Sequence, residues 1–398
     1  MLLGSVLEDV VIATTVLFAG FYAGYAALCY WYAKRSKRES IEPMAPQDLP
    51  TMTIIVPTYN EQSVVAWRIE NFTILNYPHD KLQVVFVDGA STDSTAETIE
   101  RMKGGDLNMI LIRQNQREGF NKAVMEGFKA SSGSVISITG AETEFESNAL
   151  LQLAKHFSRT NVGAVTGKMV TRNQQVLSGK LEKAYRDLYD FMRQGESMMD
   201  SCFDIKGELC AARREVVAGI LEHPGIATKG SIDTCFAFQS RIMGLKTVYE
   251  PQAFYYEDAA NVMRESFQQT IRRGQVHIEA MSLYKHMYFN PKLRMFGLVI
   301  APAHLAMVVL LPLVIGLQMF SLASLFVIQP GNPLAVALIL LTLAALALSR
   351  HVQAFAKVQF SLIGAMGRLL LGSKAFGMGH TRLPSTRIVQ EDMKSIGE

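Results

Sequence analysis

The chain has 398 residues, of which 49% are apolar and 19% charged, a balance that excludes a disordered tail, a collagen-like repeat and a small disulfide-stapled module. Its formal charge of +3 is supplied by one short run, Lys34, Arg35, Lys37 and Arg38, so the remainder is nearly neutral and implies no nucleic acid or other polyanion as partner. The four cysteines, Cys29, Cys202, Cys210 and Cys235, form neither a CxxC pair nor a zinc-like spacing with histidine, and read as reduced, mostly buried thiols.

Val10 to Ala33 is a stretch without a formal charge, long enough at about 1.5 Å per residue to cross a hydrocarbon core of roughly 30 Å. Glu8 and Asp9 precede it and the basic run follows, which suits a retained anchor spanning residues 1–33 rather than a cleaved signal peptide. The preference of Lys and Arg for the cytoplasm places the amino terminus outside and residues 34–294 inside, as one substantial soluble domain.

Within that domain Met52–Val56, Gln83–Val87, Met109–Ile112 and Ser134–Ile138 are short β-branched runs separated by segments of helical length. This alternation predicts an α/β domain, a parallel sheet covered on both faces, whose ligand lies beyond the carboxyl ends of the strands. The first run is followed by Pro57-Thr58-Tyr59-Asn60-Glu61, the second by Asp88-Gly89-Ala90-Ser91-Thr92-Asp93, the fourth by Gly140-Ala141-Glu142-Thr143-Glu144. Gly89 permits close backbone approach, and Thr92 or Asp93 can cap the next helix. Capping accounts for any one of these loops alone. Three carboxylate-bearing loops at the tips of one sheet fit a nucleotide base, a ribose and a diphosphate, the last through a divalent cation held by hard oxygens. Neither GxGxxG nor GxxxxGK[ST] occurs, so dehydrogenase and ATPase readings lose their main support.

Farther along come Lys206-Gly207-Glu208-Leu209-Cys210-Ala211-Ala212-Arg213-Arg214-Glu215, then Gly230-Ser231-Ile232-Asp233, then Gln269-Thr270-Ile271-Arg272-Arg273. Asp233 suits the amino-terminal cap of a helix through Arg241. Helical spacing puts Gln269, Arg272 and Arg273 on one face, in a segment of 261–287 that also carries Arg264, His277 and Lys285 and could lie on anionic lipid.

Met295 to Ser349 is again free of formal charge and too long for one crossing; Gln329-Pro330-Gly331-Asn332-Pro333 divides it into a hairpin of two spans over 295–349. Pro302 and Pro312 predict a kink in the first. Lys292 and Arg294 before it and Arg350, Lys357, Arg368 and Lys374 after it put both flanks in the cytoplasm. In the remainder, 350–398, Val352–Leu371 sets Lys357 and Arg368 among apolar residues, which predicts an interfacial helix rather than another crossing.

Taken in order, the motifs from about residue 51 to 275 resemble the membrane-bound branch of family 2 glycosyltransferases, inverting enzymes with a GT-A fold. The branch includes cellulose, chitin and hyaluronan synthases, ceramide glucosyltransferases and polyprenyl-phosphate sugar transferases. The resemblance implies that Thr58 and Glu61 contact the nucleoside and that Asp88 reads base and ribose, with Gly89 where many members have a second Asp. It implies a nucleotide-sugar donor, UDP-linked by expectation, and a metal loop Asp-x-Asp at 140–142. Here that loop is Gly140-Ala141-Glu142, so Glu142 is the expected ligand for Mg²⁺ or Mn²⁺, with Glu144 as an auxiliary. Lys206 and Gly207 fall in the acceptor-side element, and Asp233 takes the place of the general base, which removes the acceptor proton across about 2.6–3.2 Å. Gln269-x-x-Arg272-Arg273 resembles Gln-x-x-Arg-Trp, Arg273 replacing Trp; Gln269 would position the acceptor while Arg272 and Arg273 stabilise the departing diphosphate. The expected function is transfer of sugar to a lipid-linked or growing polysaccharide acceptor at the cytoplasmic membrane face, in contact with membrane lipid. Single-sugar transfer to a polyprenyl phosphate, and a noncatalytic sugar-nucleotide-binding membrane protein, remain as alternatives.

Overall fold

The computed structural model describes residues 2–35, 42–205 and 207–373, so Lys37 and Arg38 of the basic run, Lys206, and Lys374 lie outside the described residues. In chain order the elements are α1 (Leu2–Arg35), β1 (Met52–Thr58), α2 (Val65–Thr73), β2 (Leu82–Asp88), α3 (Thr95–Met102), β3 (Asn108–Arg113), α4 (Phe120–Ala130), β4 (Val135–Ile138), β5 (Glu144–Phe145) and α5 (Ala149–Ala154). There follow β6 (Val162–Thr171), α6 (Leu177–Met199), β7 (Cys210–Arg213), α7 (Arg214–Leu221), α8 (Ile232–Ile242), β8 (Lys246–Glu257) and α9 (Met263–Leu283). Three apolar or amphipathic helices complete the chain, α10 (Phe296–Ile328), α11 (Pro333–Leu348) and α12 (Arg350–Leu370).

The four β-branched runs are the four strands expected, and β1 pairs in parallel with β2 and β4, and β2 with β3. The sheet as a whole is not the parallel sheet expected. Its order is β3-β2-β1-β4-β7-β6-β8-β5, and β7 runs antiparallel to both β4 and β6, which makes it mixed. The physical reason is that α6 returns the chain to the far side of the sheet, and the short strand β7 enters from the opposite end between β4 and β6. Alternate residues supply two cores. Ile54, Val56, Val84 and Phe86 pack on one face, and Ile55, Val85, Val87 and Ile138 on the other.

The second core does not stop at the sheet. It runs through Phe203, Phe236, Phe238 and Tyr284 into Phe296, Ile300 and Val308, so the start of α10 is part of the same apolar interior. Beside it, α1 and α6 approach so closely that a β-carbon on Gly195 would lie 2.5 Å from the Cys29 β-carbon. At this crossing the fully buried Glu196 carboxylate accepts from the Tyr25 hydroxyl at 2.7 Å and the Phe203 amide at 3.0 Å, and pairs with His304 Nε2 at 2.7 Å. Three segments therefore share one acceptor. Removing it would leave buried polar groups unsatisfied at roughly 1–3 kcal/mol each.

Two described helices, α1 and α10, are long and apolar enough to cross a membrane, with a third if α11 and α12 count as one bent span. In α10 the expected kink takes the form of π-helical turns at Phe296–Ile300 and Ala306–Leu310, beside Pro302 and Pro312. Proline has no N–H to donate and crowds the carbonyl a turn earlier, and a widened turn accommodates both. Helix α11 starts at Pro333 behind Asn332, whose side chain accepts from Ala335 N at 3.1 Å, and α12 leaves it at 109°. That bend lays α12 along α9, where Gly274 and Gly364 let Leu362 and Ile271 approach the opposing backbone.

All four cysteines are buried and free of disulfides, as their spacing implied.

Candidate active site

The loops after β1 and β2 form one hydrogen-bonded unit. Asn60 takes the left-handed conformation at φ 55°, which turns its amide toward Ser91 Oγ at 2.9 Å and its side-chain oxygen toward the Thr92 amide at 2.8 Å. Asp88, buried at the end of β2, accepts from Ser91 N at 3.0 Å and Ser91 Oγ at 2.5 Å. Thr58 is buried and its hydroxyl faces Val87 O at 3.4 Å, while the Glu61 amide donates to Thr95 Oγ1 at 2.8 Å. Thr58, Glu61 and Asp88 thus come together as expected at the carboxyl ends of neighbouring strands. Asp93, rather than Thr92, secures the start of α3: its carboxylate accepts from the Thr95 amide at 3.0 Å. Gly89 passes within a bond's length of crowding, since a β-carbon there would lie 3.3 Å from Thr58 O. Arg117 lies over the Tyr59 ring at 3.9 Å and borders the same turn.

After β4 the loop through Gly140, Ala141 and Glu142 is fastened at both ends to α2. Arg68 donates to Thr139 Oγ1 at 3.2 Å and to Asn71 Oδ1 at 2.5 Å, and Asn71 in turn bonds the Phe145 backbone at 2.9 and 3.0 Å. Glu144, the expected auxiliary ligand, forms an ion pair with Arg172. No group of three or more His, Cys, Asp or Glu among the described residues could hold a metal ion. A cage made of protein alone therefore does not fit. A divalent ion held by one carboxylate and by substrate phosphates does fit Glu142, which is half-buried at the strand tip.

The second half of the site is built from distant segments. Asp233 stands in the first turn of α8, with Ser231 Oγ donating to it. Gly207 lies against it so tightly that a β-carbon there would be 1.7 Å from Asp233 Oδ2; only a residue without one leaves room for the carboxylate. Burial, reinforced by the nearby charge of Glu208 and opposed by the Ser231 hydrogen bond, pushes the Asp233 carboxyl up to about 6.

Glu208, the neighbour of Gly207, pairs with Arg273, which lines a shallow recess together with Glu182, Glu257, Asp258, Ser266 and Gln269. Arg273 reaches Glu257 at 3.4 Å, Glu208 at 3.6 Å and Glu182 at 3.7 Å while its side chain keeps 42% of its exposure. Burial and then repulsion from Glu208 push the Glu257 carboxyl up, against the pull of Arg273. Glu182 goes the other way: burial would raise it, but Arg186, Arg273 and Lys357 together hold it down at about 2. Gln269 and Arg273 share the recess as helical spacing predicts. Arg272, half-buried, is not among its lining residues. Glu182 and Glu257 were not singled out from the sequence; the available signal was Glu257-Asp258 at the end of an alternating Tyr-rich run, which is weak without the partner strand.

Comparison with known proteins agrees with this geometry. Residues 53–221 match the family described as Glycosyl transferase family 2. Poly-beta-1,6-N-acetyl-D-glucosamine synthase of Staphylococcus aureus strain COL is 22% identical over 253 residues, 62% of this chain and 60% of its own length. The enzyme of the same name from Staphylococcus epidermidis is 21% identical over 266 residues, 65% of this chain and 63% of its own. The matched region thus spans less than two thirds of these curated relatives. Among solved structures, mannosyltransferase PcManGT from Pyrobaculum calidifontis, in complex with GDP-Man and Mn²⁺, superposes with a TM-score of 0.77 at 28% identity, covering 92% of this chain and 100% of that one. Strand-tip carboxylates on a mixed sheet, a domain match across the first seven strands' loops and a near full-length structural likeness agree: residues 53–221 are a glycosyl transferase family 2 domain, and the fold is of the GT-A type.

Proposed function

We propose that this chain is a membrane-embedded inverting glycosyltransferase that moves a sugar from a nucleoside-diphosphate sugar to a hydroxyl of a lipid-linked or polysaccharide acceptor. The observation that carries this reading is the Asp233 carboxylate, raised to about 6 and seated against Gly207, whose neighbour Glu208 pairs with Arg273 of the recess that Gln269 also lines. The acceptor oxygen bonds to the anomeric carbon as that carbon's bond to the diphosphate breaks. The acceptor proton passes to Asp233 and the nucleoside diphosphate leaves. A carboxyl of this kind is charged at neutral pH yet basic enough to take the proton in the transition state.

Thr58, Glu61 and Asp88 hold the nucleoside, Arg272 and Arg273 face the diphosphate, and Gly207 and Gln269 border the acceptor. Lys206 belongs with them by sequence position. Glu142 would hold Mn²⁺ or Mg²⁺ together with diphosphate oxygens, and the ion would neutralise charge on the leaving group. The mannosyltransferase likeness makes GDP-mannose the first donor to test, and UDP-sugars the second. Lys34 and Arg35 in the last turn of α1, with Lys292 and Arg294 before α10, support a cytoplasmic orientation of this domain.

The test is transfer by the purified full chain in lipid nanodiscs, with Mn²⁺ and radiolabelled GDP-mannose or UDP-sugars. A ladder of products supports chain extension, and one lipid-linked product supports single transfer. Donor binding without transfer from any donor would make the chain a noncatalytic sugar-nucleotide-binding protein and overturn the proposal.

A further inference from the structure

Residues 222–231, between α7 and α8, carry the chain to Asp233 and lack a helix or strand of their own. A loop of this kind fixes a catalytic group only if something outside it does so. One side chain from elsewhere in the fold reaches it at two points and the first residue of α8 at a third. Asn121, in the first turn of α4 and 4% exposed, donates through Nδ2 to Ile226 O at 2.6 Å and Gly230 O at 3.1 Å, and accepts through Oδ1 from Ile232 N at 3.3 Å. Both amide hydrogens and the amide oxygen are used, and no side chain other than an amide supplies two donors and an acceptor in this space. The third bond falls on the residue immediately before Asp233. From the opposite side Glu279 of α9 accepts from the Gly230 amide at 3.1 Å, and Gly230 itself sits at φ 67° with its α-carbon side packed on Ala280.

We infer that Asn121 is the positioning residue of the loop that presents Asp233, holding the carboxylate against Gly207 without touching substrate. This rests on Asp233 being the base. The groups facing that carboxylate are Glu208 and Cys210 from the β7 side and Ser231 and Cys235 from its own segment. Freeing the loop admits water to the pocket, which removes part of the burial that raises Asp233, and displaces the acceptor contact.

Asn121→Ala should lower kcat by at least 10-fold, leave donor affinity within twofold, and move the acid limb of the kcat profile to lower pH than the wild-type limb. A residue that served only the fold would lower the amount of active protein and leave that limb where it was. Asn121→Asp, which keeps the acceptor but sets a carboxylate against two carbonyls, should be at least as impaired; Asn121→Ser, which keeps one donor, should fall between. Glu279→Gln, with an oxygen still available to Gly230, should stay within threefold, and Glu279→Ala should reproduce the Asn121→Ala pattern more weakly. Thermal melting and donor titration on the same preparations report folding, and if Asn121→Ala does not fold, the Ser and Glu279 variants decide the matter. Wild-type kcat in Asn121→Ala, or a loss with an unmoved acid limb and donor affinity falling in parallel, overturns the inference. Full activity in Asp233→Asn would instead remove the base assignment, a failure visible separately from the Asn121 series.

Discussion

The two halves of the site are held by different physics. Around Thr58, Glu61 and Asp88 the bonds lie within one turn, Asp88 to Ser91 and Asp93 to Thr95, or tie it to the turn after the adjacent strand, Asn60 to Ser91 and Thr92. Most of these are neutral or singly charged bonds to backbone amides. Around Asp233 and Arg273 the charged groups arrive from α6, from the segment before β7, from the end of β8, from α8 and from α9, and they perturb one another. The proposed donor half is a folded ribbon. The proposed base half is an assembly, in which acidity, position and exposure are set jointly by groups far apart in the chain.

If that contrast is right, substitutions in the assembly should cost more than comparable ones in the ribbon. The largest effect belongs to Asp233→Asn, which should lower kcat by about 10²–10⁴-fold with donor binding retained, since that is what a positioned base contributes. Nucleotide titration beside turnover measurement separates the two. In the wild type, kcat should rise with pH through about 6, because the protonated carboxyl cannot accept the acceptor proton. The limb should vanish in the Asn variant. Gly207→Ala should come next. Its new β-carbon would fall 1.7 Å from Asp233 Oδ2, so the carboxylate must move, and displacements on the ångström scale cost on the order of 10²-fold in rate. A Gly207→Ala enzyme within threefold of wild type would show that Asp233 has room to spare.

The same contrast explains what could be read before the fold was known. The strands β1 to β4 announce themselves as unbroken β-branched runs, and their turns carry Asp, Asn, Ser and Gly in fixed local order. Strand β6 is interrupted by Gly163 and Gly167, β7 is only Cys-Ala-Ala-Arg, and β8 contains Pro251 where the pairing with β6 jumps from Tyr249 to Phe254. Glycine and proline weaken the strand signal, so the antiparallel insertion was invisible and the sheet read as parallel. Asp233, Gly207 and Gln269 could be proposed from the sequence because they sit in motifs. Glu182, Glu257 and Asn121 could not, because what makes them matter is a neighbour on another element, Arg273 for the two glutamates and Ile226 for Asn121, for which no local spacing rule exists.

The loop after β4, where Glu142 is the proposed ligand, lies between the halves. It sits at a strand tip like the donor turns, yet it is clamped by Arg68, buried between the Phe72 and Phe145 rings. Glu142→Gln should weaken Mn²⁺-dependent donor binding by about 10-fold, as expected for losing one of the few carboxylates such an ion uses, with the metal-free affinity unchanged. A calorimetric titration of donor with and without Mn²⁺ reads this directly. An affinity equal to wild type across the Mn²⁺ range would remove Glu142 as a ligand.

The smallest effect is expected at Gly89, and it makes the sharpest comparison with Gly207. Both glycines adjoin a carboxylate of the proposed site, and neither tolerates a β-carbon freely. At Gly89 the obstacle is the Thr58 carbonyl at 3.3 Å, a contact that a shift of a few tenths of an ångström relieves, and the bonds from Asp88 to Ser91 stay within the same turn as it moves. Gly89→Ala should therefore raise the donor Kd only about two- to fivefold, well under 1.4 kcal/mol, and leave kcat and the acid limb unchanged. The ribbon yields as a unit, whereas the assembly around Asp233 has no single turn to absorb the displacement. Equal losses at the two glycines would mean that the donor turns are as tightly determined as the base, and that the difference between the halves lies in how the chain builds them and not in how they respond.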